Sequence, residues 1–419
     1  MRISICASFL VLWITGNINA QAPKKFQGQG PIKGVSTESR PVQKQWKGTF
    51  SFPNSDVFFN NNFAGARLNG AVSVNDSVYT VLITSENTPV NESPWYAFKV
   101  WSSNPHSITI KLTYQQGVKH RYPPKLSRNG KDWTSLEGPD AKKEFELDSV
   151  PSEYEFQVKV NRDTTWIAAQ ELSTSMQVQQ WVNQLGRRSG APVVTIGRSS
   201  LGKPINLLKI GNAQSKNRVL IIGRQHPPEV TGQLAEQAFI ERIVGNDSLA
   251  KAFRQQFLVY LVPVMNPDGV DEGFWRHNNG GVDLNRDWFA FNQRETKAVR
   301  DFLASAFNDK QNKLWFALDF HSTYDDIFYI VDPKLQGLLP GFVPEWLGAL
   351  QQRIPGYTPN IKPLYNGGPT YTSFSYLFQT YGTEALVYEI GDKTSRDFII
   401  KKSQVAAEAM MEMLLKKVK

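Results

Sequence analysis

Four short apolar runs constrain this chain more than any other feature: residues 219–222, 257–264, 314–320 and 385–390. Each is short for a helix and too uniformly apolar for a strand with one wet face. Longer helical stretches lie between them. Leu234, Ala238, Ile240 and Ile243 share one helical face, and Ala298, Val299, Phe302, Leu303 and Phe307 share another. Apolar strands covered by helices imply a sheet buried on both sides, as parallel strands require. A hairpin, residues 193–196 and 205–210 turning through Ser200-Leu201-Gly202, precedes them. Residues 163–419 are therefore expected to form an α/β domain, with a mixed, mostly parallel sheet and helices on both faces.

The preceding part has another rhythm. Between residues 46 and 162, short runs alternate apolar and polar with period two, as at 49–52, 78–84, 95–101, 108–114 and 154–160. β-Branched and aromatic residues fill them and Asn129-Gly130 marks a turn, so an antiparallel β-sandwich is expected. Trp95, Tyr96, Phe98 and Trp101 are assigned to its core and sheet faces. Residues 21–45 have the Lys, Gln, Gly and Pro content of a linker. Residues 1–20 open with Met1-Arg2, continue through an apolar stretch from Ile5 to Ile14 and end on Ala20. That is the pattern of a cleaved signal peptide, which predicts a secreted or periplasmic protein. Nothing later is apolar over a sufficient length to be a membrane anchor.

Composition removes several functions. The single cysteine, Cys6, permits neither a disulfide framework nor a Cys-ligated zinc site. The net charge of +9, from 47 basic and 38 acidic residues, is spread along the chain without arginine-rich blocks or aromatic–basic motifs. No nucleic acid is expected as a partner.

Ligands of open α/β sheets bind beyond the carboxyl ends of the strands. The first run leads to His226 and Glu229, the second to Asn266-Pro267-Asp268-Gly269, and the third straight into His321; the fourth carries Glu389 at its end. Two histidines and two glutamates thus arrive on one edge of one sheet. With five histidines and 38 acids in the chain, an isolated His-x-x-Glu pair carries little weight. Its place after a buried strand, at a helix start, gives it meaning. Residues three apart there lie on one side of the turn, so imidazole and carboxylate can face a single ion. A third ligand from a distant strand end, His321, leaves the fourth corner open, as in catalytic zinc sites.

These residues occur together with Trp275-Arg276, Gly281-Val282-Asp283-Leu284-Asn285-Arg286, Asp319-Phe320-His321-Ser322 and Tyr388-Glu389-Ile390. In order and spacing the set resembles the zinc metallocarboxypeptidases of the M14 family, the carboxypeptidase A superfamily. The resemblance runs from about residue 165 to the C-terminus. It implies one Zn2+ per chain held by His226, Glu229 and His321, the His2Glu set known from carboxypeptidase A itself. It also implies Glu389 as general base toward a zinc-activated water and Arg276 facing the carbonyl oxygen under attack. Asn285 and Arg286 would grip the substrate's terminal carboxylate, Arg286 through paired hydrogen bonds that lysine cannot make. A tyrosine on the loop after Pro363 would cap the bound residue. Tyr365, just before a Gly-Gly pair, is the first choice and Tyr371 the rival. Pro228 departs from the small or flexible residue usual before the ligand glutamate, and it stiffens that turn.

In the N-terminal part, Ser93-Pro94-Trp95-Tyr96-Ala97-Phe98, Tyr122-Pro123 and the stretch from Ser127 to Trp133 are similar to the β-sandwich of cytosolic-type carboxypeptidases. A signal peptide departs from the intracellular members, so their substrates are not carried over. The implied activity is hydrolysis of the C-terminal peptide bond of peptides or proteins by a secreted monomer. One alternative is a zinc amidohydrolase acting on peptidoglycan stem peptides. The other is a non-catalytic peptide-binding relative, against which Glu389 argues, since a binder needs no base. Residues 371–376, expected to line the side-chain pocket, hold no charged group, which disfavours charge-based selection by that segment.

Overall fold

The computed structural model describes residues 25–28, 36–91, 93–136 and 153–418. The expected signal peptide lies outside them, as does part of the expected linker.

The α/β part is built on one eight-stranded sheet. Its spatial order is Val193–Arg198, Pro204–Gly211, Phe257–Val262, Asn217–Gly223, Lys313–Thr323, Glu384–Gly391, Ile327–Val331 and Ile361–Tyr365. Four neighbouring pairs are parallel and three antiparallel. All four apolar runs and the hairpin are strands. Ile327–Val331 and Ile361–Tyr365 are additions to the expected set. The latter is an edge strand, mostly exposed and containing Pro363, so it carries almost no apolar signal.

Alternation along the central strands divides the core into two layers. Val219 and Ile221 pack with Phe239, Phe253, Trp346 and Met410, while Leu220 and Ile222 pack with Trp288, Val299, Leu303 and Leu377. Helices Val230–Ile243, Ser248–Gln256, Phe342–Arg353 and Arg396–Lys417 cover the first face, and Arg294–Ala306 and Ser373–Tyr381 the second. Helix Val230–Ile243 is buried nearly all round, not along one stripe. Its Val230 and Leu234 reach into the N-terminal core.

That core lies between two further sheets. One has six strands in the order Thr49–Phe50, Val57–Asn60, Ala97–Ser102, Thr165–Ala168, Lys125–Ser127 and Thr134–Ser135. The other has four: Gly70–Asn75, Val78–Ile83, His106–Tyr114 and Glu153–Val160. Phe59, Phe98 and Val100 from the first meet Tyr79, Ile110 and Phe156 from the second. Three details differ from expectation. Val78–Ile83 and His106–Tyr114 pair in parallel, within otherwise antiparallel sheets. Thr165–Ala168 pairs with both Ala97–Ser102 and Lys125–Ser127, so the first sheet passes the expected boundary at 162; the strand is too short to show an alternation. Finally, described residues of the expected linker are pinned to the α/β part. Arg40 N–H donates to Gly280 O at 2.7 Å, and Gln293 Nε2 donates to Thr37 O at 2.8 Å. These are polar contacts, which a search for apolar anchors passes over.

Candidate active site

Strand Asn217–Gly223 is the switch point of the sheet. The chain leaves it for Phe257–Val262 on one side, then crosses to Lys313–Thr323 on the other. Beyond its end Arg224 adopts a φ of 54°, and its guanidinium donates to Pro227 O at 2.8 Å. This closes a short loop carrying His226, and Glu229 follows as the N-cap residue of helix Val230–Ile243. The Glu229 carboxylate makes no capping bond and faces the imidazoles instead. The first turn of the helix is satisfied from elsewhere: Gly232 N–H donates to Ser322 Oγ at 2.8 Å. A Cβ at position 232 would stand 2.5 Å from His321 O, so glycine is what lets the helix meet the strand that carries His321.

His226 Nδ1 lies 2.8 Å from Glu229 Oε1, while His321 Nδ1 lies 2.7 Å from Glu229 Oε2 and 3.0 Å from His226 Nδ1. All three residues are buried and form a candidate metal-binding group among the described residues. The outer ring nitrogens are engaged by carboxylates: His226 Nε2 is 2.9 Å from Asp283 Oδ1 and His321 Nε2 is 2.9 Å from Asp319 Oδ2. With a proton on each Nε2 accepted by its carboxylate, the Nδ1 atoms would face inward as ligand nitrogens. Two imidazole nitrogens and a carboxylate converge on one point, a donor set that fits zinc once the imidazoles are neutral. Asp283 and Asp319 carry no assignment from the sequence. They stand inside the motifs, but spacing alone gives no sign that the chain turns them back onto the imidazoles.

The electrostatics agree. Burial acts to raise Glu229, but the imidazoles of His226 and His321 outweigh it and hold the carboxyl well below its usual range. Burial acts to lower His321, but Asp319 and Glu229 carry it well above. The side chains alone thus favour a positive charge at this point. Glu389 is the reverse case. Burial, helped by the Glu229 charge, pushes it up to about 8, and its Oε2 is buried with no protein partner. It lies opposite His321 in the parallel ladder.

Arg276 is buried beside this group. Its Nε donates to Asp283 Oδ2 at 2.9 Å, and its Nη1 stands 3.6 Å from Glu229 Oε1. Asp283 also opens the 3-10 turn Leu284–Arg286, accepting Asn285 N–H at 2.8 Å. Asn285 Oδ1 accepts Ser373 N–H at 3.0 Å, and Arg286 Nη1 donates to Asn285 O at 2.8 Å. The tyrosines separate. Tyr365 is buried, packs against Phe374 and Phe378, and its hydroxyl donates to Gly368 O at 2.9 Å. As the inward residue of an otherwise exposed strand end it belongs to the core, which corrects the first choice of capping residue. Tyr371 is 52% exposed. Its carbonyl accepts Trp288 N–H at 3.3 Å, which ties its loop to the segment bearing Arg286.

The family model described as zinc carboxypeptidase, peptidase M14, matches residues 178–418. Cytosolic carboxypeptidase 3 of Bos taurus is 23% identical over 307 residues, covering 65% of this chain and 30% of the relative. Cytosolic carboxypeptidase 6 of Homo sapiens is 28% identical over 136 residues, covering 30% of this chain and 27% of the relative. The chain thus spans less than a third of the length of these curated relatives. The structure of a metallo-carboxypeptidase from Burkholderia cenocepacia superposes with a TM-score of 0.71 at 18% identity, covering 85% of this chain and 98% of that one. One from Pseudomonas aeruginosa, in complex with (2-guanidinoethylmercapto)succinic acid, gives 0.69 at 19% identity, covering 86% and 100%. The shared fold therefore includes N-terminal sheets as well as the α/β part. With the family match extending over more than half of its length, the chain belongs to the zinc carboxypeptidases of the M14 family.

Proposed function

We propose that this protein is a metallocarboxypeptidase that removes single residues from the C-termini of peptides or proteins. The observation that carries this reading is the meeting of His226, Glu229 and His321 at one point, with Glu389 opposite His321. These three ligands would hold one zinc ion, which supplies Lewis acidity toward a water and the scissile carbonyl. Glu389, in its carboxylate form, takes the proton of the attacking water and returns it to the leaving amine nitrogen. Arg276, fixed in advance by Asp283, offers its guanidinium N–H groups to the carbonyl oxygen as negative charge develops there. Arg286 binds the free carboxylate of the substrate through paired hydrogen bonds, with Asn285 beside it. Tyr371 covers the bound residue from its exposed loop.

The composition of residues 1–20 supports export, so the reading places the enzyme outside the cytoplasm, secreted or periplasmic. Sequencing the N-terminus of exported protein tests that part. The activity is tested by incubating the zinc-loaded protein with a peptide bearing a free C-terminus and with the same peptide as its C-terminal amide. Mass spectrometry should show stepwise loss of single residues from the acid alone. Internal cleavage, or equal hydrolysis of the amide, would overturn the exopeptidase assignment.

A further inference from the structure

The loop that carries Arg276 is not held by the α/β part alone. Glu86 lies between Val78–Ile83 of one N-terminal sheet and Ala97–Ser102 of the other, and it is completely buried. Its Oε1 accepts N–H bonds from Arg276 at 3.0 Å and His277 at 2.7 Å, and its Oε2 accepts one from Trp275 at 2.7 Å. Three successive backbone N–H groups turned onto one carboxylate make an anion nest, and each bond is charge-assisted. Asn87 extends the grip, donating from Nδ2 to Gly281 O at 3.0 Å and accepting from His277 Nδ1 at 2.5 Å. Buried Arg67 supplies neighbouring positive charge.

Arg276 is therefore fastened at both ends. Glu86 holds its backbone and Asp283 holds its Nε, and between them the guanidinium lies against Glu229. A buried carboxylate is a costly way merely to join two packed units, where apolar contacts serve as well. Here the same units already share apolar contacts, since Trp275 and Val230 belong to the N-terminal core. What the carboxylate adds is control of the backbone on either side of one arginine. A displacement of about 1 Å at a reacting group lowers turnover by about 10²-fold.

We propose that Glu86 is a positioning residue for catalysis: through its carboxylate the N-terminal sheets fix the backbone of Arg276, and so place the guanidinium for the oxyanion. This rests on the role given to Arg276 above, and the experiment separates the two. The zinc-loaded full chain is compared as wild type, Glu86→Gln, Glu86→Asp, Arg276→Ala and the double variant Glu86→Gln/Arg276→Ala. Glu86→Gln sets an amide NH2 against backbone N–H groups, so kcat should fall about 10- to 100-fold. KM should stay within about twofold, because Arg286 grips the substrate. Affinity for a peptide phosphonate, whose oxygen stands in for the oxyanion, should fall with kcat, while affinity for the product peptide does not. Glu86→Asp keeps the charge but withdraws it, and should give the same signature with a smaller loss. It supplies the reading if the glutamine variant does not fold.

The double variant decides between positioning and bulk stability. On the Arg276→Ala background, Glu86→Gln should leave kcat within about twofold of the single Arg276 variant. Losses that multiply would overturn positioning through Arg276. Wild-type kcat in both Glu86 variants, with Arg276→Ala impaired, would remove Glu86 and leave the Arg276 reading intact. Unchanged kcat in Arg276→Ala would overturn both.

Discussion

His321 and Glu389 face each other as register partners on the parallel strands Lys313–Thr323 and Glu384–Gly391. Paired strands lie about 4.8 Å apart and partner side chains point to the same face, so the backbone ladder sets the spacing of the proposed ligand and the proposed base. Phe320 and Tyr388, one residue earlier on each strand, point into the core with ring centroids 5.3 Å apart. The proposed ligand and base are thus mounted on two hydrogen-bonded central strands of the sheet.

Glu389→Gln removes the proton acceptor with little change of shape. We expect kcat to fall by about 10²- to 10⁴-fold. Zinc content should remain near one ion per chain, because Glu389 is not among the three proposed ligands. Turnover assays beside elemental analysis check both halves, and undiminished turnover would take Glu389 out of the mechanism.

Asp283→Asn acts on two neighbours at once. It weakens the acceptor that orients His226 and loosens Arg276. Loss of such an outer carboxylate lowers metal affinity by about 10- to 100-fold. Competition against a chromophoric chelator measures this directly, and kcat should drop further than metal loss explains because the guanidinium is also released.

Gly232→Ala tests the contact between helix Val230–Ile243 and His321. On helix propensity alone, alanine would stabilise by about 1 kcal/mol. The added Cβ would stand 2.5 Å from His321 O. Overpacking of this kind costs about 1–3 kcal/mol. A lower denaturant midpoint together with weaker metal binding is expected, and a stabilised variant would show that helix and strand separate freely.

His120 makes acid stability depend on the N-terminal core. Its Nδ1 is 2.7 Å from Tyr114 OH, its ring stacks on Tyr154 at 4.0 Å, and Tyr96 and Lys393 are its other neighbours. Burial, with a contribution from Lys393, pushes it from 6.5 down to about 3. Between those values the unfolded chain binds a proton that the folded protein refuses. Its contribution is full above about pH 6.5 and is lost as pH falls toward 3, by at most about 1.4 kcal/mol per unit. Between pH 7 and pH 5 the wild-type denaturant midpoint should drop more than that of His120→Gln; equal drops would place the acid sensitivity elsewhere.

Part of this site could be read from order along the chain. An apolar run without polar alternation has to be buried on both faces, so the central strands followed from composition, and with them the ends that carry His226, His321 and Glu389. Tyr365 marks where such reading fails. The Gly-Gly pair beyond it marks a loop, yet the tyrosine ends an edge strand and its ring is the inward anchor. Exposed neighbours and Pro363 hid the strand. Thr165–Ala168 was hidden in the same way, by brevity.

Hydrophobic period is a relation between near neighbours, so the chain alone determined the four central strands and the ends from which His226, His321 and Glu389 emerge. The partners of those groups are of another kind. Asp283 meets His226 across 57 positions, and Glu86 meets Arg276 across 190. Such meetings depend on the path of all the intervening chain, and no local pattern encodes it. Packing settles them, because a buried imidazole, guanidinium or carboxylate left without a partner costs several kcal/mol, which favours a fold that brings Asp283 to His226 and Glu86 to the backbone of Arg276.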